Sequence, residues 1–261
     1  MTEKFVLYKP AWVYLGSVSD ERQLSRKECR QLLKKGGWMV RNTYNFDTPG
    51  KTGFWFVIKD SFGGMEELSS KMRNQVRRSM ANYTFRKMTR EELLQSGYPV
   101  HRAATEGYRV KCTPPSEEEY RQQLLSNTEN EFWGAFDRND GHLAAFAKNI
   151  VFHNSCSYST LKAYPDELSR YPYYGLIYTM NQHYLQECGL QFVNDGARSV
   201  TNHSNMQPFL IQKFHFRKAY CNLKITYRPP LGLCVKMLYP FRKHIPSTTV
   251  RNLLYLEEMT R

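Results

Sequence analysis

The sequence predicts an α/β (α+β) fold, a mixed central sheet with flanking helices, and three observations carry that expectation. Short aromatic and β-branched runs alternate with stretches of helical periodicity. A tight-turn pentapeptide, Asp137-Arg-Asn-Asp-Gly141, separates two of the runs. Three hydroxyl-x-x-Glu signatures mark helix starts, at Ser25/Glu28, Thr89/Glu92 and Ser116/Glu119, where hydroxyl and carboxylate each satisfy an orphan backbone N–H. With 41% hydrophobic and 14% aromatic residues, the 261-residue chain carries enough apolar surface for a sizeable core.

The helix opened by Ser25 ends at Gly36-Gly37, and Trp38-Met-Val-Arg41 and Gly53-Phe-Trp-Phe-Val-Ile-Lys59 read as strands around Asp47-Thr-Pro-Gly50. From Met65 to about Asn82 the apolar residues Met65, Leu68, Met72, Val76 and Met80 recur at helical spacing. The rest of that helix is basic. Between Glu67 and Glu91 the chain holds Lys71, Arg73, Arg77, Arg78, Arg86, Lys87 and Arg90 and no acid, so positive charge is concentrated there.

Downstream, Glu131–Phe136 and Leu143–Phe152 form the strongest hairpin signal, and a third strand spans about Ser157 to Ala163. A helix from Tyr173 to Cys188 sets Ile177, Met180, Tyr184 and Cys188 on one side and ends at Gly189. Gln191–Asp195 is a strand, Ser204–Phe214 a short helix with Pro208 in its first turn, and Lys218–Tyr227 a final strand. Two helical connections long enough for crossovers make the sheet mixed. Pro229-Pro230 ends it.

The expected organisation is an N-terminal extension over residues 1–50 packed on a core domain over 51–230, followed by a basic tail over 231–261. No run approaches the roughly 20 apolar residues of a membrane span, and Met1–Lys9 lacks a secretory apolar run, so a cytoplasmic protein is expected. The six cysteines are scattered without a C-x-x-C pair; no metal site is expected, and they read as buried reduced thiols. A net charge of +13 favours anionic partners: a nucleotide-bearing cofactor, an RNA or an acidic substrate.

From Glu131 onward the order of elements resembles the second half of the GNAT acyltransferase fold. Its members bind acyl-CoA where two neighbouring parallel strands splay apart. The resemblance covers about residues 54 to 227. Arg170-Tyr-Pro-Tyr-Tyr-Gly175 stands where the family carries its phosphate-cradling Gln/Arg-x-x-Gly-x-Gly/Ala loop, with Arg170 and Gly175 in the outer places and Tyr173 where the central glycine belongs. Asn205–Phe216 resembles the short helix and Gly-Phe near the end of these domains, with His215 replacing the glycine; Leu210, Ile211 and Gln212 fill the region that often supplies a tyrosine acid. Lys71–Arg78 after an aromatic strand and Phe192-Val-Asn-Asp-Gly196 look like the Fem-type aminoacyltransferases, which lack the standard pyrophosphate loop and take an aminoacyl group from tRNA.

The resemblance implies an N-acyltransferase with acyl-CoA, acetyl-CoA foremost, as donor and a small-molecule or peptide amine as acceptor. It implies a donor site at Leu161, Lys162, Ala163, Arg170, Tyr173, Tyr174, Gly175 and Asn205. The polar residues at the carboxyl end of the Gln191–Asp195 strand lie where open α/β sheets hold ligands. Asp195 and His203 are accordingly candidate bases, Tyr220 a candidate proton donor, and Tyr158, Asn194 and Arg198 candidate substrate contacts. Two alternatives remain open: a Fem-type transferase with aminoacyl-tRNA as donor, and a non-enzymatic RNA-binding protein. In both, Arg73, Arg77, Arg78, Arg86 and Lys87 would meet phosphates.

Overall fold

A computed structural model describes residues 4–20, 22–108, 113–126, 130–200 and 205–261. Along the chain its elements are β1 (Phe5–Tyr8), β2 (Ala11–Tyr14), α1 (Arg26–Lys35), β3 (Met39–Tyr44), β4 (Phe54–Lys59), α2 (Ser70–Asn82) and β5 (Tyr83–Met88). There follow α3 (Arg90–Glu106), α4 (Glu117–Leu125), β6 (Asn130–Asp137), β7 (Leu143–Val151), β8 (Ser155–Ala163) and α5 (Pro172–Asn181). The last are β9 (Phe192–Ala197), α6 (Met206–Phe214), β10 (Arg217–Tyr227), α7 (Leu231–Leu238) and α8 (Thr248–Glu258). All three capping boxes form, with Ser25, Thr89 and Ser116 each accepting from the N–H of its glutamate.

Contacts divide the chain into two units, the first made of residues 1–57, 197–202 and 218–261, the second of 58–196 and 203–217. In the first, the strand order is β1-β2-β3-β10-β4, with β2 and β3 parallel and β3 and β10 antiparallel. Cys29, Leu32 and Leu33 of α1 pack with Phe5, Leu24 and Val40 into its core. The second unit carries the order β9-β8-β7-β6-β5. Its β5, β6, β7 and β8 are antiparallel neighbours, while β8 and β9 run parallel. Leu93 and Val100 of α3 and Leu124 of α4 cover this sheet through Met88, Phe132, Leu143 and Phe146.

Three departures from expectation have local causes. The strands β1, β2 and β5 were not expected: the first two are four residues long, and the charges of β5 belong to its outward positions. Arg86 and Lys87 are exposed, while Tyr83 and Met88 are buried. The helix expected to run to Cys188 keeps α-geometry only to Asn181; Gln182–Glu187 is π-helical, with the Cys188 N–H reaching the His183 carbonyl at 2.8 Å. Of the described cysteines, Cys29, Cys156 and Cys221 are buried, whereas Cys188 and Cys234 are exposed, which corrects the expectation of uniform burial. Among the described residues no helix is long and apolar enough to cross a membrane.

Candidate active site

β8 and β9 pair only at their beginnings. The parallel register links Ser155 to Phe192, Cys156 to Val193 and Ser157 to Asn194, and stops there, although β8 continues to Ala163. The cause is legible in Asn194-Asp-Gly196. Asn194 is wholly buried, and its Oδ1 accepts the Gly196 N–H at 3.1 Å, an Asx turn that draws β9 off its ladder, with Gly196 at φ +80°. The same side chain holds the last rung: Oδ1 accepts from Ser157 Oγ at 3.2 Å, and Nδ2 donates to the Cys156 carbonyl at 3.3 Å. Opposite, β8 shifts register against β7 between Lys148 and Asn149, a bulge of the kind that re-aims strands beside sites.

Beyond the last rung with β9, the β8 N–H groups point alternately toward β7 and away from it. The Tyr164 N–H bonds the Ala144 carbonyl on the β7 side, and the Ala163 N–H donates to the buried Tyr173 hydroxyl. Strand alternation therefore turns the Leu161 N–H, like that of Ala163, away from β7. Just past the last paired residue stands Asp195. Its side chain keeps an open edge, but dense surrounding protein strips its water, and this desolvation raises its pKa to about 7. Its own carbonyl accepts from Gln207 Nε2 at 3.3 Å. Its charge is felt by Tyr158, which is buried, stacks on Phe216 and donates to Asn181 Oδ1 at 2.9 Å. Burial pushes the Tyr158 phenol well up, so it stays protonated.

The fold as a whole has counterparts among solved structures. No family model matches the chain, and no curated protein matches it in sequence. FemX shares its shape with a TM-score of 0.57 at 10% identity, over 89% of this chain and 85% of FemX. The C-terminal domain of a putative lysylphosphatidylglycerol synthetase from Agrobacterium fabrum does so at 0.53 and 13% identity, over 90% and 84%. The L-PGS of Bacillus licheniformis does so at 0.51 and 12%, over 92% and 84%. The chain has a GNAT-like fold of the FemX kind.

In a GNAT-like fold the expected anion cradle is the N-terminus of the helix after the forked strand, here α5. That cradle is filled from within. The Gly175 N–H donates to Ser79 Oγ at 3.0 Å, and Ser79 in turn donates to the Tyr171 carbonyl at 2.6 Å. A Cβ at position 175 would overlap the Phe85 ring. Gly175→Ala is therefore expected to destabilise the protein by about 1–3 kcal/mol, read as a lower urea midpoint. Tyr174 packs on Tyr171, Phe209 and Phe214. Arg170 is paired with Asp137 at 2.6 Å and with Glu167 at 3.0 Å, and Glu167 also accepts from Tyr83. Lys162 is buried, donating to Tyr108 Oη at 2.7 Å and Thr105 Oγ1 at 3.2 Å.

Thus the second unit brings Tyr158, Asn194 and Asp195 together with Leu161 and Ala163 of the open edge. The remaining candidates lie elsewhere. Asn205 is the exposed residue preceding α6. Tyr220 and Arg198 belong to the first unit. There the Tyr220 ring packs on Trp55, and Arg198 stacks on Trp55 and donates to the Gly53 carbonyl and the Tyr255 hydroxyl. His203 lies outside the described residues.

Of the basic residues, Arg77 and Arg78 face outward on α2, and among the described residues neither has an ion pair; Arg78 lies over the Tyr171 ring. Arg73 donates to the Leu68 carbonyl and Ser70 Oγ, while Arg86 and Lys87 pair with Glu92 and Glu131. Sequence reasoning missed Asn181 and Ser79. Their signal is a polar residue on a buried helix stripe: Asn181 follows Ile177 by four, and Ser79 follows Val76 by three.

Proposed function

We propose that this chain is a transferase that passes an aminoacyl group from aminoacyl-tRNA to an amine acceptor at the β8–β9 fork. The observation that carries the reading is the desolvated Asp195, with a pKa near 7, at the mouth of an unpaired β8 edge. Near neutral pH such a carboxylate is half ionised and accepts a proton readily. The acceptor nitrogen attacks the ester carbonyl of the donor, and Asp195 takes the proton that nitrogen sheds. The Leu161 N–H on the open edge holds the carbonyl oxygen as negative charge gathers on it. The C–O bond then breaks, and the tRNA 3′ oxygen leaves with a proton returned from Asp195.

The choice of donor rests on two features of the second unit. The α5 amide that would meet a CoA pyrophosphate is bonded to Ser79, and Arg170 is held by two carboxylates. The outward face of α2 instead offers Lys71, Arg77 and Arg78 to a polyanion. The Fem-type resemblance fits this donor.

The test is a melting series of the full chain with bulk tRNA or CoA, followed by incubation with tRNA charged with a labelled amino acid. A rise with tRNA only, and loss of the label from tRNA faster than in buffer, is the expected result. A rise with CoA only would replace this reading with acyl-CoA transfer. Binding of tRNA with the ester left intact would leave an RNA-binding protein.

A further inference from the structure

A cavity lined by residues of the first unit has no part in the transfer reading. It encloses about 260 Å³ between β2, β3, β4 and the segment after β2, with Tyr14, Arg22, Arg41, Asn42, Phe54 and Phe56 on its walls. Two of those residues are cationic. Among the described residues Asp20 supplies the lining's one carboxylate, and its Oδ2 accepts from the Tyr14 hydroxyl at 2.6 Å.

Arg41 is the unusual member. Its backbone is fixed in the β3–β10 ladder opposite Ile225, so the side chain starts from a rigid strand. Its guanidinium lies 5.8 Å from the centre of the Phe54 ring. Its Nε is buried without a hydrogen-bond partner, and among the described residues the group has no ion pair. Loss of water lowers its pKa. Stripping an arginine of water with no carboxylate among the described residues paired to it is costly, a cost that packing alone gives no reason to keep. The planar fork matches the two oxygens of a carboxylate or phosphate, and the aromatic walls match an apolar body. The volume sits just below the usual range for small-molecule pockets, which limits the body to about one ring.

We propose that the first unit holds a binding site for a small organic anion, a carboxylate or phosphate monoester on an apolar body about one ring in size, anchored by the Arg41 guanidinium. The site is independent of the transfer reaction and stands or falls by itself. Phosphate monoester and carboxylate are separate arms of its test.

The experiment is thermal melting and calorimetric titration of the full chain with phenyl phosphate, benzoate and inorganic phosphate at constant ionic strength, on wild type and Arg41→Met. One of the two aromatic anions should raise the melting temperature saturably and the other less, which assigns the head group; inorganic phosphate should bind at least tenfold more weakly than the preferred compound. Arg41→Met should weaken that binding by at least tenfold while melting, without ligand, no lower than wild type. A merely structural arginine would do the opposite and lower the melting temperature when removed. No saturable shift in wild type, or equal shifts in wild type and variant, overturns the proposal. If Arg41→Met does not fold, Arg41→Lys keeps the charge without the fork, and undiminished affinity in it has the same consequence.

Discussion

Replacing Asp195 with asparagine is expected to cut aminoacyl transfer by about 10²–10⁴-fold while leaving a folded protein that is more stable at pH 8 than wild type. The two effects share one cause. Desolvation beside the fork holds the Asp195 pKa at about 7, against an ordinary value of 3.8, so the carboxylate is a strong base because ionising it is costly. Its folded pKa is raised. The native state therefore keeps a proton that the unfolded chain has lost, and the stability this contributes is full below pH 4 and declines as pH rises through about 7. An amide carries no charge to desolvate and escapes that decline. The displacement bounds the gain at about 4 kcal/mol, and water at the open edge trims it to about 1–2 kcal/mol. Activity should move the other way with pH: wild-type kcat/KM should climb to a plateau with a midpoint near 7, and the residual rate of Asp195→Asn should lack that limb. Pre-steady-state transfer and chemical denaturation at pH 5 and pH 8 measure both. Wild-type rates in the variant, or loss of stability at pH 8, would remove Asp195 from the reaction.

The elements of the fork were legible because each announces itself locally. β8 and β9 are short runs bounded by turn residues, and Pro172 and Gly189 bracket the helical stretch between them. Asp195-Gly196 is by composition a turn dipeptide, though that the turn ends the pairing depends on Ser157 and Cys156 of the neighbouring strand. What each polar side chain meets was not legible. Arg170 and Gly175 stand in the right order for an anion cradle, yet Asp137, Glu167 and Ser79 reach them from 33, 3 and 96 residues away in sequence. That Arg41 has no ion pair among the described residues is of the same kind. A sequence records a charge, but only the fold decides whether another charge answers it. Likewise no spacing rule reports the desolvation of Asp195, which arises from the combined packing of β9 and the elements around it.

Reversing two charges on α2, Arg77→Glu with Arg78→Glu, is expected to weaken tRNA binding by about 10- to 100-fold near 0.1 M salt and to reduce the slope of log K against log salt by about 2. The helix is built for such a change to stay local. Met72, Val76 and Ser79 form its buried stripe, and Arg77 and Arg78 project from the opposite side, so the substitutions remove no core contact. Arg78 gives up only its place over the Tyr171 ring. Arg86 is the internal control. It is already paired with Glu92 at 2.7 Å and lies 4.1 Å from the centre of the Phe136 ring, so Arg86→Gln should change tRNA affinity less than either α2 substitution. Filter binding from 50 to 300 mM salt separates the outcomes. An unchanged slope in the double variant would mean that phosphates meet another surface, and the assignment of α2 to the polyanion would fail even if the fork proved catalytic.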